Sequence, residues 1–244
     1  MVGSEDGRLT QERADVSVVI PTLNEARYLP HLLASLAAQT VAPREIIVVD
    51  ANSRDDTVAL AEAQGARVLH GGGLPGFSRN LGAEQARGAW LLFLDADVRL
   101  PADAIESIVA QAETRGFDAA STAFVPDTRA PAVRFQHWLS REYFWLSSRL
   151  GWSHSIGAFL FVRRALHLQI GGFDSSITVA EDQDYVLRLN RAGRYVFTRR
   201  PLVEIAARRF DDEGLLKMSA KWLAIEAHRL FRGEIRSDAF HYFK

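Results

Sequence analysis

Short polar side chains follow three apolar runs of the chain, at the point where each run ends. The first group is Pro21-Thr22-Leu23-Asn24-Glu25, the second is Asp50 with Ser53, Asp55 and Thr57, and the third is Asp95-Ala96-Asp97. Apolar runs of this length are typical of strands that are buried on both faces of a sheet. Ligands bind at the carboxyl ends of such strands in open α/β sheets. The sequence therefore predicts that the three groups meet in one ligand-binding crevice.

Asp95 and Asp97 are the pair with the most distinctive chemistry. They end the apolar run Trp90–Leu94 and supply two carboxylates one residue apart. Carboxylate oxygens are the hard ligands that Mg²⁺ and Mn²⁺ take alongside substrate phosphates. A solvated acidic turn produces the same short pattern, so Asp-x-Asp by itself leaves both interpretations open.

Strands and helices alternate through the first half of the sequence. Apolar β-branched runs predict strands, and apolar positions spaced three and four residues apart predict helices. The predicted strands are Val16–Ile20, Glu45–Val49, Ala66–Leu69 and Trp90–Leu94. A helix is predicted after each of them. This alternation predicts a mainly parallel sheet that is covered by helices on both faces.

The second half of the sequence is less regular. Its predicted strands are Ala119–Phe124, Ala158–Val162, Tyr195–Phe197 and Leu202–Ile205. Its longer predicted helices are Pro131–Leu150, which is rich in aromatic residues, and Ala180–Ala192, which opens with several acids. Asp211–Gly214 is predicted to cap a last amphipathic helix.

Composition narrows the class of protein. The chain has 244 residues, a net charge of −1 and no cysteine. That charge gives no support for nucleic-acid binding, and disulfides and thiolate metal sites are excluded. The polar segment Met1–Asp15 is not a signal peptide, and no apolar run reaches the length of a spanning helix. We expect a cytoplasmic protein, at most bound to the inner face of the membrane.

Taken together, the motifs carry a resemblance to a known family. They are Val18–Glu25, Ile46–Asp50, Ser53-x-Asp55-x-Thr57, Arg79–Ala83, Ala86-x-Gly88, Leu92–Asp97, Gly172-Phe173-Asp174 and Glu181-Asp182-x-Asp184 with Arg188 and Gly193. In this order and spacing the chain resembles a family 2 glycosyltransferase over roughly residues 16–200. The resemblance implies the α/β GT-A fold of nucleotide-diphospho-sugar transferases, with a mainly parallel central sheet and helices on both faces.

The resemblance also implies a donor site and a metal. The residues implied to hold the nucleotide sugar are Pro21, Thr22, Asn24, Glu25, Asp50, Ser53, Asp55, Arg79, Asp95 and Ala96. Arg79 would approach the diphosphate, to which a guanidinium is well suited. Asp97 would be the main ligand of Mn²⁺ or Mg²⁺, and Asp95 would contact the ribose or the metal. UDP is taken as the default nucleotide.

Catalysis is implied to rest on Asp182 as general base, or on its neighbour Glu181 if the alignment shifts by one residue. The base would deprotonate the acceptor hydroxyl in a single displacement that inverts the sugar. A plain charge–dipole interaction at a helix N-terminus is the alternative for both acids. The chain departs from the family pattern at Ala51, where a second acid is common. Arg208-Arg209 stand where such enzymes often have a metal-binding histidine, so the third metal ligand is open; the two arginines would reach the diphosphate or form a solvated pair.

Two further patterns match motifs of other enzyme classes. Gly71–Gly76 fits the dinucleotide pattern Gly-x-Gly-x-x-Gly, but it lies in the third β-α connection and contains Pro75. His70–Gly73 is similar to the oxyanion loop of esterases, but the Gly-x-Ser-x-Gly nucleophile motif is missing. We therefore expect neither activity. An early phosphate-binding loop of a nucleotidyltransferase is also missing.

The predicted organisation is a polar tail (residues 1–15), one catalytic domain (16–210) and a C-terminal amphipathic helix with a tail (211–244). Residues 16–100 would form the nucleotide-sugar half and 101–210 the acceptor half. The acceptor hydroxyl is unidentified, and a lipid-linked acceptor is one candidate. The last helix would contact a membrane surface or form a homodimer. A catalytically silent protein of the same fold that only binds nucleotide sugars is the alternative function.

Overall fold

The computed structural model describes residues 13–151 and 154–237, which form an eight-stranded sheet with helices on both faces. The strands are β1 Arg13–Thr22, β2 Ala42–Asp50, β3 Arg67–His70, β4 Trp90–Leu94, β5 Val98–Arg99, β6 Ala119–Asp127, β7 Phe159–Arg163 and β8 Tyr195–Ala206. Their order in the sheet is β3-β2-β1-β4-β7-β6-β8-β5.

The described helices follow the predicted pattern closely. They are α1 Leu29–Ala37, α2 Thr57–Ala63, α3 Pro75–Gln85, α4 Ala104–Arg115, α5 Pro131–Arg149, α6 Arg164–Gln169, α7 Glu181–Ala192, α8 Arg208–Glu213 and α9 Leu215–Arg232. Three details differ from the prediction. The short strand β5 was not expected, β8 is continuous where two strands were predicted, and the expected helix cap at Asp211–Gly214 lies mostly in a separate helix, α8.

The first four strands are parallel, as predicted. β1 pairs in parallel with β2 and with β4, and β2 pairs in parallel with β3. Thr22 lies opposite Asp50 in the register, so the polar groups after β1 and β2 start side by side. The second half is mixed: β7 is antiparallel to β4 and β6, β5 is antiparallel to β8, and β6 and β8 are parallel. The predicted mainly parallel α/β sheet is confirmed.

Successive residues of the central strands pack into two different apolar cores. Val18 and Leu92 belong to the core beneath α1 and α4, whereas Val19 and Phe93 belong to the core beneath α7. All four side chains are fully buried. Because neighbouring side chains of a strand point to opposite faces, this division is the direct reason for the unbroken apolar runs.

Both ends of the described chain are packed, the first in the sheet and the second against α5, α8 and the segment before α7. Residues 13–15, assigned to the polar tail from the sequence, belong to β1, where Arg13 and Ala14 pair with β2. Met218 and Ile225 of α9 are buried, and Ile235 forms an isolated bridge with Val179. Residues 1–12 and 238–244 of the predicted tails lie outside the described residues. No helix in the described part of the chain has the length and apolarity needed to cross a bilayer.

Candidate active site

The loops after β1 and β2 are joined by side-chain hydrogen bonds. Asp50 accepts hydrogen bonds from the backbone and the hydroxyl of Ser53 and a longer one, 3.3 Å, from the Thr22 hydroxyl. The Ser53 hydroxyl in turn accepts a 2.8 Å bond from the backbone N–H of Asn24. Asn24 has a φ of 55°, in the left-handed region that asparagine tolerates better than most residues. The two predicted donor-binding groups therefore form one polar rim.

Asp55 ties the same rim to helix α2. One of its carboxylate oxygens accepts bonds from the backbone and hydroxyl of Thr57, and the other accepts a 3.1 Å bond from the backbone N–H of Ala26. These bonds lower the pKa of Asp55, although partial burial opposes them. A loop-stabilising role is thus visible for Asp55, whose part in donor binding stays a prediction.

Arg79 connects the third polar group with the acids of α7. Its guanidinium lies 2.7 Å from Asp95 and 2.6 Å from Glu181, two residues that come from opposite halves of the chain. The Arg79 side chain is only 3% exposed and also lies over the ring of Phe173, with 5.3 Å to the centroid. A buried arginine with two carboxylate partners fixes the distance between the Asp95 strand end and the start of α7.

The two adjacent acids Glu181 and Asp182 have different surroundings. Glu181 is committed to Arg79, whereas Asp182 accepts a 2.9 Å hydrogen bond from the backbone N–H of Gln183. Burial and the negative charge of Glu181 raise the pKa of Asp182 to about 7, against the opposing effect of Arg79. A raised carboxylate pKa suits a general base that works near neutral pH. Asp182 is therefore the better base candidate.

Gly157 leaves room for this arrangement. A Cβ at position 157 would lie 2.6 Å from a terminal nitrogen of Arg79 and 3.5 Å from the Asp182 carboxylate. The first distance is shorter than van der Waals contact, and both ion pairs restrain the guanidinium. Gly157, which belongs to the predicted acceptor half, thus lies next to the candidate base.

A Gly157→Ala substitution is expected to push the Arg79 guanidinium away from Asp95 and to destabilise the fold by about 1–3 kcal/mol through overpacking. Urea unfolding measures this loss. Gly73→Ala is the matched control, because a Cβ there meets nothing within 4 Å. Equal stability of the two variants would contradict the packing argument.

Arg208, the first residue of α8, connects Glu25, after β1, with Asp97, after β4. Its two terminal nitrogens donate to both oxygens of Glu25 at 2.9 and 2.8 Å, and its Nε lies 3.0 Å from Asp97. The sequence left Arg208 with two alternatives, a solvated pair with Arg209 or a contact to the diphosphate. A fully solvated pair is excluded, because the Arg208 side chain bridges two predicted site residues and is 29% exposed.

Asp95 and Asp97 could hold a divalent metal only if substrate phosphates and water supplied its other ligands. Within residues 13–151 and 154–237, no three acidic, histidine or cysteine side chains converge closely enough to hold a metal by themselves. Asp97 and Asp95 are nonetheless two carboxylates at one strand end, and Mg²⁺ is commonly held by one or two carboxylates, water and substrate phosphates. These carboxylates therefore fit Mn²⁺ or Mg²⁺, and the role of Asp97 as the main protein ligand stays a prediction.

Several motif residues support the loop between α6 and α7 instead of facing a ligand. The Asn80 side chain accepts a bond from the backbone N–H of Phe173 and donates one to its carbonyl, both at 2.8 Å. Arg188 donates to the carbonyls of Ile170 and Gly172. Sequence reasoning missed both roles, although Asn80 and Arg188 stand in motifs that it quoted.

The glycine-rich loop after β3 packs tightly against the end of β2. A Cβ at Gly72 would lie 2.2 Å from the Cα of Ala51, so position 72 has no space for a side chain without movement of the backbone. The loop thereby covers the edge of the rim formed by the β1 and β2 loops.

Comparison with known proteins identifies relatives for most of the chain. The family described as Glycosyl transferase family 2 matches residues 17–171. An uncharacterized glycosyltransferase of Haemophilus influenzae is 27% identical over 184 residues, which are 71% of this chain and 61% of that protein. A PGL/p-HBAD biosynthesis glycosyltransferase of Mycobacterium bovis is 39% identical over 102 residues, or 38% of this chain and 40% of its own length. The chain thus spans less than two thirds of these curated relatives.

Solved structures show the same fold. TarS of S. aureus in complex with UDP-GlcNAc has a TM-score of 0.67 and 23% identity, and the match covers 88% of this chain and 64% of that one. Glucosyl-3-phosphoglycerate synthase from Mycobacterium tuberculosis, in complex with Mn²⁺, UDP and glucosyl-3-phosphoglycerate, has a TM-score of 0.59 and 20% identity, with 87% and 78% covered. The GT-A fold predicted from the sequence is confirmed by both.

Proposed function

The chain belongs to glycosyl transferase family 2, and we propose that it transfers a sugar from a nucleoside diphosphate sugar to an acceptor hydroxyl with inversion at the anomeric carbon. The observation that carries the proposal is the Arg79 bridge. One guanidinium pairs with both Asp95 and Glu181. Asp95 belongs to the candidate metal site, and Glu181 is next to the candidate base. Donor activation and acceptor deprotonation would then take place within one cluster.

The donor would lie along the rim formed by the β1 and β2 loops. The rim supplies hydroxyl, amide and carboxylate groups that suit a base and a ribose, from Pro21, Thr22, Asn24, Glu25, Asp50, Ser53 and Asp55. UDP-GlcNAc and GDP-mannose complexes of similar folds support a nucleoside diphosphate donor, and UDP stays the default nucleotide. Arg79 and Arg208 would place two positive charges beside the diphosphate.

In the proposed reaction Asp182 removes the proton from the acceptor hydroxyl as its oxygen attacks the anomeric carbon. The new bond joins this oxygen to the sugar, and the bond between the sugar and the diphosphate breaks. The released nucleoside diphosphate carries the negative charge, and the proton ends on Asp182. Arg79, through Glu181, keeps the Asp182 segment facing the donor.

A divalent ion would be held by Asp97, with Asp95 as a second ligand or a ribose contact. Bound there, Mn²⁺ or Mg²⁺ would supply Lewis-acid neutralisation of the leaving diphosphate. Because Arg208 pairs with Asp97, it would have to share this carboxylate with the metal or turn toward the diphosphate. Arg208 would thus supply positive charge where many relatives have a histidine.

An Asp97→Ala variant is expected to lose metal-dependent donor binding. Calorimetry with UDP-sugars, GDP-sugars and dTDP-sugars, with and without Mn²⁺, measures it, and release of the nucleoside diphosphate reports transfer or hydrolysis. Asp103→Ala is the control, since this exposed acid lies six residues further along and makes no capping bond at the start of α4. Unchanged Mn²⁺-dependent binding by the Asp97→Ala variant would remove Asp97 from the metal role.

The same measurements separate the alternative function. A silent binding protein would bind a nucleotide sugar in a metal-dependent manner but would release no nucleoside diphosphate with any acceptor. The pKa of Asp182, raised toward neutral pH, favours the enzyme, because a binding protein has no use for a proton acceptor at this position.

A further inference from the structure

Helix α9 exposes a stripe of large apolar side chains. Leu216, Leu223, Leu230 and Phe231 are 85, 72, 79 and 82% exposed. Their spacing places all four within about one third of the helix circumference, over a length of about 22 Å. The other exposed residues in this arc are Ala220, Ala224 and Ala227, so no charged side chain interrupts the stripe. The buried side of α9 carries Met218 and Ile225.

Helix α5 exposes a second apolar stripe. It consists of Phe135, Trp138, Leu139, Leu146 and Leu150, the last directly after the helix, and each is between 47 and 68% exposed. Phe135 and Trp138 stack on each other with their ring centroids 5.7 Å apart. Phe135 and Trp138 are 63 and 47% exposed, so neither is a core residue.

The two stripes face the same way. Near the start of α5, Gln136 accepts a bond from the Ser219 hydroxyl of α9, and Val133 and Met218 belong to one apolar cluster. Further along, burial and then the negative charge of Glu226 on α9 raise the pKa of Tyr143 on α5. The two positions on each helix follow in the same order, so the helices are roughly parallel. On each helix the stripe lies about 80–90° from this contact line, in opposite rotational senses, which turns both stripes to one side. We call the nine large apolar residues of the two stripes the α5–α9 surface.

Positive charge is concentrated on the same two helices. Their basic residues are Arg134, Arg141, Arg149, Lys217, Lys221, Arg229 and Arg232, and their acids are Glu142 and Glu226. Glu213 and Glu234 flank α9 and pair with Lys217, Lys221 and Arg229. Seven basic side chains against these four acids still leave a positive balance, in contrast to the net charge of −1 for the whole chain. Lys217 is exposed beside the apolar stripe of α9, and Arg232 is exposed at the end of the helix, directly after Phe231. A partner with an apolar interior and a negatively charged surface complements this pattern.

The α5–α9 surface lies next to the acceptor side of the candidate active site. Glu226 of α9 accepts a hydrogen bond from Gln183, the residue after the candidate base. Tyr143 of α5 packs against His154, in the segment that leads to Gly157. A partner seated on this surface would therefore approach the end of the site where the acceptor must enter.

We propose that the α5–α9 surface rests on an anionic lipid bilayer, with its leucine and aromatic side chains in the headgroup region and its exposed basic residues at the phosphates. These basic residues are Arg134, Arg149, Lys217 and Arg232. Burial of apolar side chains and attraction to anionic lipids together drive such peripheral binding. The binding itself requires neither donor nor metal. Under the proposed transferase function, it would present the base to acceptor hydroxyls carried on lipids.

Vesicle sedimentation of the full chain, without nucleotide or metal, tests the proposal. We expect binding to vesicles of phosphatidylglycerol and phosphatidylcholine in equal parts, and much weaker binding to phosphatidylcholine alone. A Leu223→Glu/Leu230→Glu variant should bind at least about tenfold more weakly, because two exposed anchors are lost. Lys217→Glu/Arg232→Glu should weaken binding most at low salt. Leu168→Glu is the matched control, since this leucine is 53% exposed on α6, outside the surface.

Three outcomes would overturn the proposal. One is absence of binding to the anionic vesicles, and another is equal loss of binding in the Leu168→Glu variant. The third is a dimer in solution that the Leu223→Glu/Leu230→Glu variant dissociates, which would make the surface an interface between two copies. Donor calorimetry of the same variants is expected to be unchanged, so failure of membrane binding leaves the transferase proposal standing, and the reverse also holds.

Discussion

Replacement of Asp182 by asparagine is expected to lower sugar transfer by about 10²- to 10⁴-fold, the usual contribution of a general base. The amide has nearly the shape of the carboxylate but cannot take the proton of the acceptor hydroxyl. Donor binding should be nearly unchanged, because the predicted nucleotide contacts come from the loops after β1, β2 and β4 and from Arg79 of α3, and none of them is Asp182. Single-turnover transfer and donor calorimetry measure the two effects separately.

The stability of the Asp182→Asn variant supplies a second readout. The pKa of Asp182 is raised from 3.8 to about 7 by burial and by Glu181. Between these pH values the folded protein keeps a proton that the unfolded chain has released, so the folded state loses stability as pH rises toward 7. The variant has no such group. It should therefore gain stability relative to the parent protein at pH 8, and the gain should disappear near pH 4.

Glu181→Gln is the informative comparison for the base assignment. The substitution removes the negative neighbour of Asp182, so it should shift the acid limb of the pH–rate profile to lower pH without abolishing transfer. Undiminished transfer by the Asp182→Asn variant together with a dead Glu181→Gln variant would move the base role to Glu181.

The sheet and the position of the site follow from local patterns in the sequence. Val18–Ile20 and Leu91–Leu94 are apolar at every position, which indicates burial on both faces of the sheet, in two cores. The polar residues that follow them mark the ends of the strands. The start of α2 is likewise local, because Asp55 accepts a bond from the backbone N–H of Thr57 two residues away. The bond between Asn24 and Ser53 spans 29 residues, but it follows from the parallel pairing of β1 with β2.

The contacts that organise the site could not be predicted in the same way. Arg208 and Glu25 are 183 residues apart, and Arg79 and Glu181 are 102 residues apart. No periodicity of the sequence links such positions, since their encounter depends on how all the intervening elements pack. The pairing of α5 with α9 has the same origin, and it decides that two separate apolar stripes form one surface. Motif order placed these residues in one family but did not assign partners to them.

Replacement of Arg79 by methionine is expected to destabilise the fold by about 3–5 kcal/mol, the usual cost of removing one partner from a buried ion pair. Methionine keeps an apolar stem against Phe173 but leaves Glu181 and Asp95 without their shared cation. The cost should fall mainly on Glu181, whose side chain is 7% exposed, because Asp95 is 38% exposed and can be hydrated. Urea unfolding of the variant measures the loss.

The double variant Arg79→Met/Glu181→Gln separates the structural role of Arg79 from its proposed catalytic role. Neutralising Glu181 removes the buried uncompensated charge, so most of the lost stability should return, and a double-mutant cycle gives the coupling energy of the pair. Transfer should stay low, since no cation would then remain between Asp95 and Asp182 to face the diphosphate. Recovery of both stability and transfer would reduce Arg79 to a structural counter-ion. Recovery of stability alone would support its position at the centre of the site.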